Sequence, residues 1–285
     1  MKRIVIYVFA FFQIPAQAVS AQSAADIIAR IEAKSGVQVA QTTVDTFKAG
    51  DPATRVTGIA VTMMATLDVL QRAAAKGHNL IITHEPTFYG HRDATDVLEA
   101  EKDSVYTAKQ EFIRKHGLVV WRFHDRPHAM KPDMIASGMI GAMGWEKYRS
   151  AENPNVFDIP PTTLRELARA VVARLGARTI RIVGDSLARV SRVGMTFGFP
   201  GFAANRKTLQ VAGVEALVMG EDHEWETIEY GVDAVTAGLR KGLLVIGHVP
   251  SEQAGMEEVS RWLKTFITDV PVEFVPTREP FTRIH

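Results

Sequence analysis

Histidine and carboxylate side chains follow four short apolar segments of this sequence, each at the point where the segment ends. LIIT is followed by His84 and Glu85, VVWRF by His124, ALVMG by Glu221, and LLVIG by His248. If these segments are strands of an α/β sheet, their carboxyl ends are where such folds bind ligands. Imidazole and carboxylate are also the donors that remain to a metal site in a chain with no cysteine. The pattern therefore predicts a site for divalent metal ions, with Zn, Mn, Fe, Ni and Mg as candidates.

Five side chains are the predicted ligands of one or two ions: His84, Glu85, His128, His248 and Glu252. Taken separately, each has a simpler interpretation. The pair before Pro86 could be a solvated turn, and the pair four residues apart could be the start of a helix with an acidic residue near its positive end. Their shared position after apolar segments favours metal binding.

For the other polar residues near these segments, the sequence leaves open whether they belong to the metal site. Asp125, Glu221 and His223 could join the site, but the last two could equally cap a helix. His91 is undecided, whereas His78, His116 and His285 are interpreted as structural or solvated.

Short apolar segments alternate with helical ones, which predicts an α/β fold with mixed sheets. We expect one long helix over about 96–116, another over about 251–266, and an edge strand at VPVEFVP, where a proline stands at each end. We predict a single domain with two lobes, residues 40–147 and 160–285. The segment AENPNVFDIPP is predicted to be the linker between them.

The N-terminus has the pattern of a secretory signal peptide over residues 1–21, with a basic start, an apolar run and small-x-small cleavage sites. An uncleaved anchor or a buried first helix is the alternative. Cleavage predicts a periplasmic or secreted protein with no membrane attachment. The net charge of +1 gives no indication of a nucleic-acid partner.

The motifs LIITHEP, VVWRFHDRPH, VMGEDHEW and GHVPSE occur in this order, and with them the chain resembles the Nif-three-like dinuclear metal centre family, also labelled GTP cyclohydrolase I type 2-like. The resemblance covers about Val44 to Pro280. It implies a two-lobed fold, two metal ions in a cleft between the lobes, and assembly into a hexameric ring, a homo-oligomer. The large insertion that some members carry between the lobes is absent here.

The family pattern is altered in this chain. It has two histidines before the proline, where this sequence has His84 and Glu85. It then has a histidine and, four residues later, a bridging aspartate, where this sequence has His124 and His128. The final histidine and glutamate are retained. Because an imidazole does not bridge two metals as a carboxylate does, a glutamate would take that role, and Asp125 is a candidate substitute ligand.

Two functions compete on these grounds. The first is a metal-dependent hydrolase acting on a small molecule; GTP is disfavoured as its substrate, because an exported protein rarely meets cytosolic nucleotides. The second is a non-catalytic metal-binding or scaffold protein. A partner-binding module that uses the surface of the ring is a third interpretation.

Overall fold

The computed structural model describes residues 22–282, so the predicted signal peptide and His285 lie outside the described residues. Ten α-helices occur within that range: α1 (Ala24–Ser35), α2 (Leu67–Ala75), α3 (Asp96–Ala100), α4 (Ser104–Lys115), α5 (Asp125–Ala129), α6 (Met134–Met143), α7 (Leu164–Leu175), α8 (Phe202–Leu209), α9 (Glu229–Thr236) and α10 (His248–Lys264). A π-helical turn, Glu224–Ile228, precedes α9. No helix within residues 22–282 combines the length and apolar character needed to cross a membrane.

Ten strands form two five-stranded sheets in the same part of the chain. They are β1 (Phe47–Ala49), β2 (Ile59–Thr62), β3 (Leu80–Thr83), β4 (Val119–Arg122), β5 (Val156–Thr163), β6 (Arg181–Val183), β7 (Arg189–Met195), β8 (Ala216–Met219), β9 (Gly242–Val245) and β10 (Val272–Phe274). The strand orders are β1-β4-β3-β2-β10 and β5-β7-β8-β9-β6. Both sheets are mixed, with parallel central strands and antiparallel pairs at the edge, so the predicted fold class is confirmed.

Helices cover both faces of each sheet, which is why the central strands are continuously apolar rather than alternating. In the first sheet, α1 and α10 pack on one face and α2 and α4 on the other. In the second sheet, α7 packs on one face and α8 and α9 on the other. Parallel strands buried in this way leave their carboxyl ends as the accessible edge where ligands bind.

Helix α6 contributes to the cores of both lobes. Met134 and Ile135 pack with the first sheet, whereas Met139 and Ile140 pack with the second. It also packs closely against α10, and Gly138 allows this approach, since a Cβ there would lie 2.5 Å from the carbonyl oxygen of Ala254. The α6–α10 pair therefore joins the two lobes tightly beside the strand ends.

Two predictions about the lobes are wrong. The predicted linker contains β5, which pairs antiparallel with β7 at the edge of the second sheet, where Pro160 and Pro161 interrupt the register. The predicted second lobe, 160–285, includes β10, but this strand pairs with β2 in the first sheet. The chain returns to the first lobe through α10, so the lobes are not consecutive segments. β10 does lie at a sheet edge, as predicted.

Helix boundaries also differ from the prediction. The expected helix over 96–116 is two helices, because Lys102 has a φ of 53° and Asp103 caps α4. A short helix, α5, lies in the predicted loop after β4. α10 begins at His248, three residues before the predicted start at Ser251. This early start places His248 within the helix together with Glu252, four residues later.

Candidate metal centre

Four imidazole rings and two carboxylates meet where β3, β4 and β9 end. His84 and Glu85 follow β3, His124 follows β4, and His128 lies on α5. The rings of His84 and His124 stack with centroids 4.7 Å apart, and the ring of His128 lies 5.0 Å from that of His84. The first lobe therefore supplies three neighbouring imidazoles.

The remaining two members of the cluster come from the first turns of α10. His248 Nε2 lies 3.2 Å from Glu85 Oε1 and 3.2 Å from Glu252 Oε2. Glu252 Oε2 is in turn 3.7 Å from His84 Nε2. The cluster thus connects the strand ends of the first lobe to the helix that follows the second sheet.

Each of the four histidines has its Nδ1 atom held by a hydrogen-bond acceptor. The partners are the carbonyl oxygen of Phe123 for His84 (3.0 Å), Asp125 for His124 (2.9 Å), Asp133 for His128 (3.0 Å) and Glu221 for His248 (2.8 Å). A carbonyl or carboxylate oxygen accepts, so each Nδ1 carries the proton and donates. This arrangement fixes the orientation of each ring and makes Nε2 the atom that could bind a metal, as is usual for metal-ligating histidines.

Two buried atoms of the cluster, His84 Nε2 and Glu252 Oε2, have no well-directed hydrogen bond among the described residues, although Glu252 Oε2 is 3.2 Å from His248 Nε2. Leaving a buried polar atom unpaired costs about 1–3 kcal/mol. Burial also lowers the pKa of His84 to about 4, so this imidazole is neutral and offers a lone pair at neutral pH. A neutral imidazole nitrogen without a hydrogen bond, 3.7 Å from a carboxylate oxygen, is chemically suited to a divalent cation.

Five of the six donors form two overlapping groups that share His84. In one group, ligand atoms of His84, His124 and His128 lie within 4.8 Å of one another; in the other, those of His84, Glu85 and Glu252 do. The donor set is therefore compatible with one or two ions. The chemistry of imidazole with carboxylate is borderline to hard, which suits Zn, Mn, Fe or Ni.

A fully buried arginine supports the cluster from beneath. Arg122, the last residue of β4, pairs with Glu85 Oε2 at 3.2 Å and donates from Nε to the carbonyl oxygen of His84 at 2.9 Å. It also donates to the carbonyl oxygen of His91. Arg122 therefore occupies one oxygen of Glu85 and directs the other, Oε1, toward the cluster.

The turn after β4 is organised by Asp45, which lies outside the motifs identified in the sequence. Its carboxylate accepts hydrogen bonds from the backbone N–H groups of His124, Asp125 and Arg126, at 2.7, 2.8 and 2.9 Å. These donors form the first turn of α5, which is otherwise uncapped. Asp45 therefore fixes the turn that carries His124 and His128.

Close packing across the cleft positions Glu252. Gly198, in the loop after β7, has a φ of 56°, and a Cβ there would lie 2.5 Å from Glu252 Oε1. Only glycine fits this position without displacing the carboxylate.

The cluster opens into a cleft of about 710 Å³ between the strand ends of the two lobes. Tyr89, His91 and Glu221 line it beside the cluster, and Asn155, Thr196, Phe197 and Phe199 line the side of the second lobe. This volume is within the range of small-molecule sites.

All five predicted ligands lie in this cluster, and His124 joins them there. Of the undecided residues, Asp125 and Glu221 hold imidazole Nδ1 atoms. His223 instead stacks on Trp225, with ring centroids 4.4 Å apart. His78 is buried and bonds to Glu273 on β10, in keeping with a structural role.

Three supporting residues were missed by reasoning from the sequence: Arg122, Asp45 and Asp133. Arg122 gave a readable signal, since a charged residue inside the apolar run VVWRF calls for a buried partner. Asp133 precedes a helix and reads as a cap, which it is, but its second oxygen holds His128. Asp45 gave no signal, because its partners are backbone groups 79 to 81 residues away.

The solved structures most similar to this one include several at low sequence identity. Staphylococcus aureus protein SA1388 is 16% identical, with a TM-score of 0.70 over 93% of this chain and 100% of that chain. A Bacillus cereus protein related to NIF3 is 13% identical, with a TM-score of 0.70 over 93% of this chain and 99% of that one. Reduced HcgD from Methanocaldococcus jannaschii is 14% identical, with a TM-score of 0.58 over 89% and 98%. These likenesses establish the fold.

Sequence comparison with curated proteins gives no match. A family model described as Duf34/NIF3 (NGG1p interacting factor 3), however, matches residues 23–280. That range includes both sheets and every residue of the metal-site cluster. The chain therefore belongs to the Duf34/NIF3 family.

Proposed function

We propose that this protein is a metal-dependent hydrolase of a small molecule. In this proposal His84, Glu85, His124, His128, His248 and Glu252 hold one or two divalent ions. The observation that carries the proposal is the set of four imidazoles whose Nδ1 atoms are all held by acceptors, with the Nε2 atoms directed into one cluster. A structural polar core would have no reason to leave the buried His84 Nε2 without a hydrogen bond.

The ligand set of this proposal departs from the pattern that the family resemblance implies. Glu85 stands where that pattern has a histidine, and His128 stands where it has a bridging aspartate. Arg122 occupies one oxygen of Glu85, which leaves Oε1 to the site. Glu252 would hold an ion together with His84 and Glu85, whose ligand atoms lie within 4.8 Å of its own.

A divalent ion bound here would lower the pKa of a coordinated water and polarise a substrate oxygen. The residues of the chain supply the remaining requirements. The cleft beside the cluster gives the substrate a place to bind, which a purely structural metal site would not need. Its presence favours hydrolysis over the alternative, a non-catalytic metal-binding or scaffold protein.

We assign Glu221 as the group that accepts a proton from water. Both oxygens of Asp125 are occupied, by His124 on one side and by Thr43 and Val44 on the other. Glu85 is occupied by Arg122 and His248. Glu221 bonds to His248 through Oε1, but its side chain is 46% exposed and lines the cleft.

The test is the variant Glu221→Gln, assayed with p-nitrophenyl acetate as a neutral ester probe. A glutamine oxygen still accepts from His248 Nδ1, so metal content should be unchanged. Loss of the base should slow hydrolysis by about 100-fold or more. Hydrolysis by the wild type that is unchanged in Glu221→Gln would contradict this role, and no hydrolysis by the metal-loaded wild type would favour the non-catalytic alternative.

Export and self-association are also part of the proposal. Export to the periplasm or the exterior rests on the basic and apolar N-terminal pattern of residues 1–21. Assembly into a homo-oligomer rests on the family resemblance alone. Cell fractionation and light scattering of the purified protein test the two separately.

A further inference from the structure

The side chains that line the cleft carry negative charge, which does not favour the binding of nucleotide phosphates. Among the described residues that line it, none is a lysine or an arginine, whereas Glu85, Glu221 and Glu252 are all present. Arg122 lies beneath the cluster and is fully buried, with its guanidinium committed to Glu85 and to backbone carbonyls. Proteins that bind polyphosphates use arginine or lysine side chains, which neutralise the several charges of the chain.

Bound metal would supply positive charge only at the cluster itself. One or two ions there could hold a single anionic group, but the rest of a triphosphate would lie along a wall without cations. Helix α8 begins beside this wall without a side-chain cap, and its free N–H groups carry only a partial positive charge. The charge distribution therefore disfavours nucleoside triphosphates.

Two large aromatic side chains stand exposed in the cleft, one from each lobe. Tyr89, after β3, is 60% exposed, and Phe199, after β7, is 47% exposed. Exposed aromatic rings at a concave site provide rigid apolar area with little conformational entropy to lose on binding.

Both rings are held in place by their surroundings. Phe199 meets the ring of His223 edge-on at 5.2 Å, and His223 stacks on Trp225 at 4.4 Å. Tyr89 has a φ of 64°, which few non-glycine residues adopt, and the ammonium group of buried Lys109 lies 5.4 Å from its ring centroid. A non-glycine residue kept at positive φ costs free energy that a ligand-binding role would account for.

We infer that the cleft takes an uncharged ligand with a planar ring, bound against Tyr89 and Phe199, and that it discriminates against polyphosphates. The inference rests on the proposed function, since the reacting group of this ligand would face the metal cluster. It specifies the substrate class as neutral aromatic or heteroaromatic compounds, for example amides or esters.

The experiment is ligand-observed NMR with the full, metal-loaded protein. The probes are benzamide and guanosine as neutral rings, and GTP and tripolyphosphate as anions. We expect saturation transfer to both neutral probes that tripolyphosphate does not displace. Binding should weaken about tenfold in Tyr89→Ala and in Phe199→Ala, and it should be unchanged in Leu187→Ala, which removes an exposed apolar side chain outside the cleft.

Either of two results would overturn the inference: GTP or tripolyphosphate binding more tightly than guanosine, or no neutral probe binding in a way that depends on Tyr89 and Phe199. Metal content is measured on the same samples. A metal-free wild type contradicts the proposed function, whereas a metal-loaded wild type with the wrong ligand preference contradicts only the present inference.

Discussion

At the scale of single residues, the central feature is the carbonyl or carboxylate oxygen that accepts a hydrogen bond from Nδ1 of each histidine in the cluster. Asp125 shows most clearly what such a partner does. Its Oδ2 accepts from Thr43 Oγ1 at 2.7 Å and from the N–H of Val44 at 3.2 Å, while Oδ1 accepts from His124 Nδ1. Both oxygens must accept, so the carboxylate determines which nitrogen of His124 is free to bind metal.

The variant Asp125→Asn tests this role. The amide oxygen is needed by Thr43 and Val44, so the NH₂ group faces His124 Nδ1 and favours the tautomer with a proton on Nε2. We expect metal affinity to fall about 10- to 100-fold. Competition with a chromophoric chelator measures it, and Asp269→Asn at the surface pair with Arg30 is the control. Equal affinities in the two variants would refute the orienting role.

The protonation state of His248 should make metal binding depend on pH. Burial opposes a charge on His248, but its close contacts with the carboxylates of Glu221, Glu252 and Glu85 outweigh burial and raise the pKa of this imidazole to about 12. Without metal, His248 therefore carries a proton at neutral pH, and a ligating imidazole must lose it. His84, with a pKa of about 4, has no proton to lose on Nε2.

The pKa of His128 is also raised, because its hydrogen bond to Asp133 outweighs burial. Metal binding should consequently release at least one proton, and affinity should rise by about tenfold or more per pH unit near neutral pH. Calorimetric titration in buffers with different ionisation enthalpies counts the released protons. A binding enthalpy that is the same in all buffers would mean that His248 does not ligate in its neutral form.

At the scale of secondary-structure elements, the contact between α6 and α10 positions the cluster. Gly138 on α6 is buried against Ala254 and Gly255, which follow Glu252 by two and three residues. A Cβ at Gly138 would lie 2.5 Å from a carbonyl oxygen and 2.7 Å from a Cα, and neither backbone atom can move without moving α10. The spacing of the two helices therefore determines where Glu252 lies.

Gly138→Ala should lower the free energy of unfolding by about 1–3 kcal/mol through overpacking. Gly141→Ala, on the same helix, is the matched control. Its Cβ would meet only Glu146 Oε1, at 3.5 Å, and alanine favours the helix by up to ~1 kcal/mol. Denaturant unfolding of both variants checks the expected opposite signs. Similar stabilities would show that α6 and α10 can separate at little cost.

Some strands and helices could be predicted from the sequence, and others could not. The strands before His84, His124 and His248 were predictable, because fully buried parallel strands are short, continuous apolar runs. The break between α3 and α4 was not, since it depends on positive φ at Lys102, a residue type that usually continues a helix. The strand β5 was hidden by Pro160 and Pro161, which an edge strand tolerates and a linker also favours.

At the scale of the whole molecule, the site is assembled from distant parts of the chain. Glu85 and His248 are 163 residues apart and come from different sheets, yet their side chains meet at 3.2 Å. The five predicted ligands could be found from the sequence because each lies at, or within a few residues of, the end of an apolar strand. The support from Asp45 could not, because its partners are backbone groups 79 to 81 residues away.

In this arrangement the loop after β3 and the segment after β4 supply His84, Glu85, His124 and His128, whereas α10, which follows the last parallel strand of the second sheet and packs on the first, supplies His248 and Glu252. A metal held by both groups would therefore join the turns after β3 and β4 to the first turns of α10, and the proposed hydrolysis depends on it.

The most direct measurement is elemental analysis of the purified protein beside His84→Ala, Glu252→Ala and, as a control, His116→Ala, whose ring only stacks on Phe112. We expect one or two equivalents of divalent metal in the wild type and in His116→Ala, and strong loss in the other two variants. A wild type that holds no metal after loading, or a His84→Ala variant that holds as much as the wild type, would contradict this expectation.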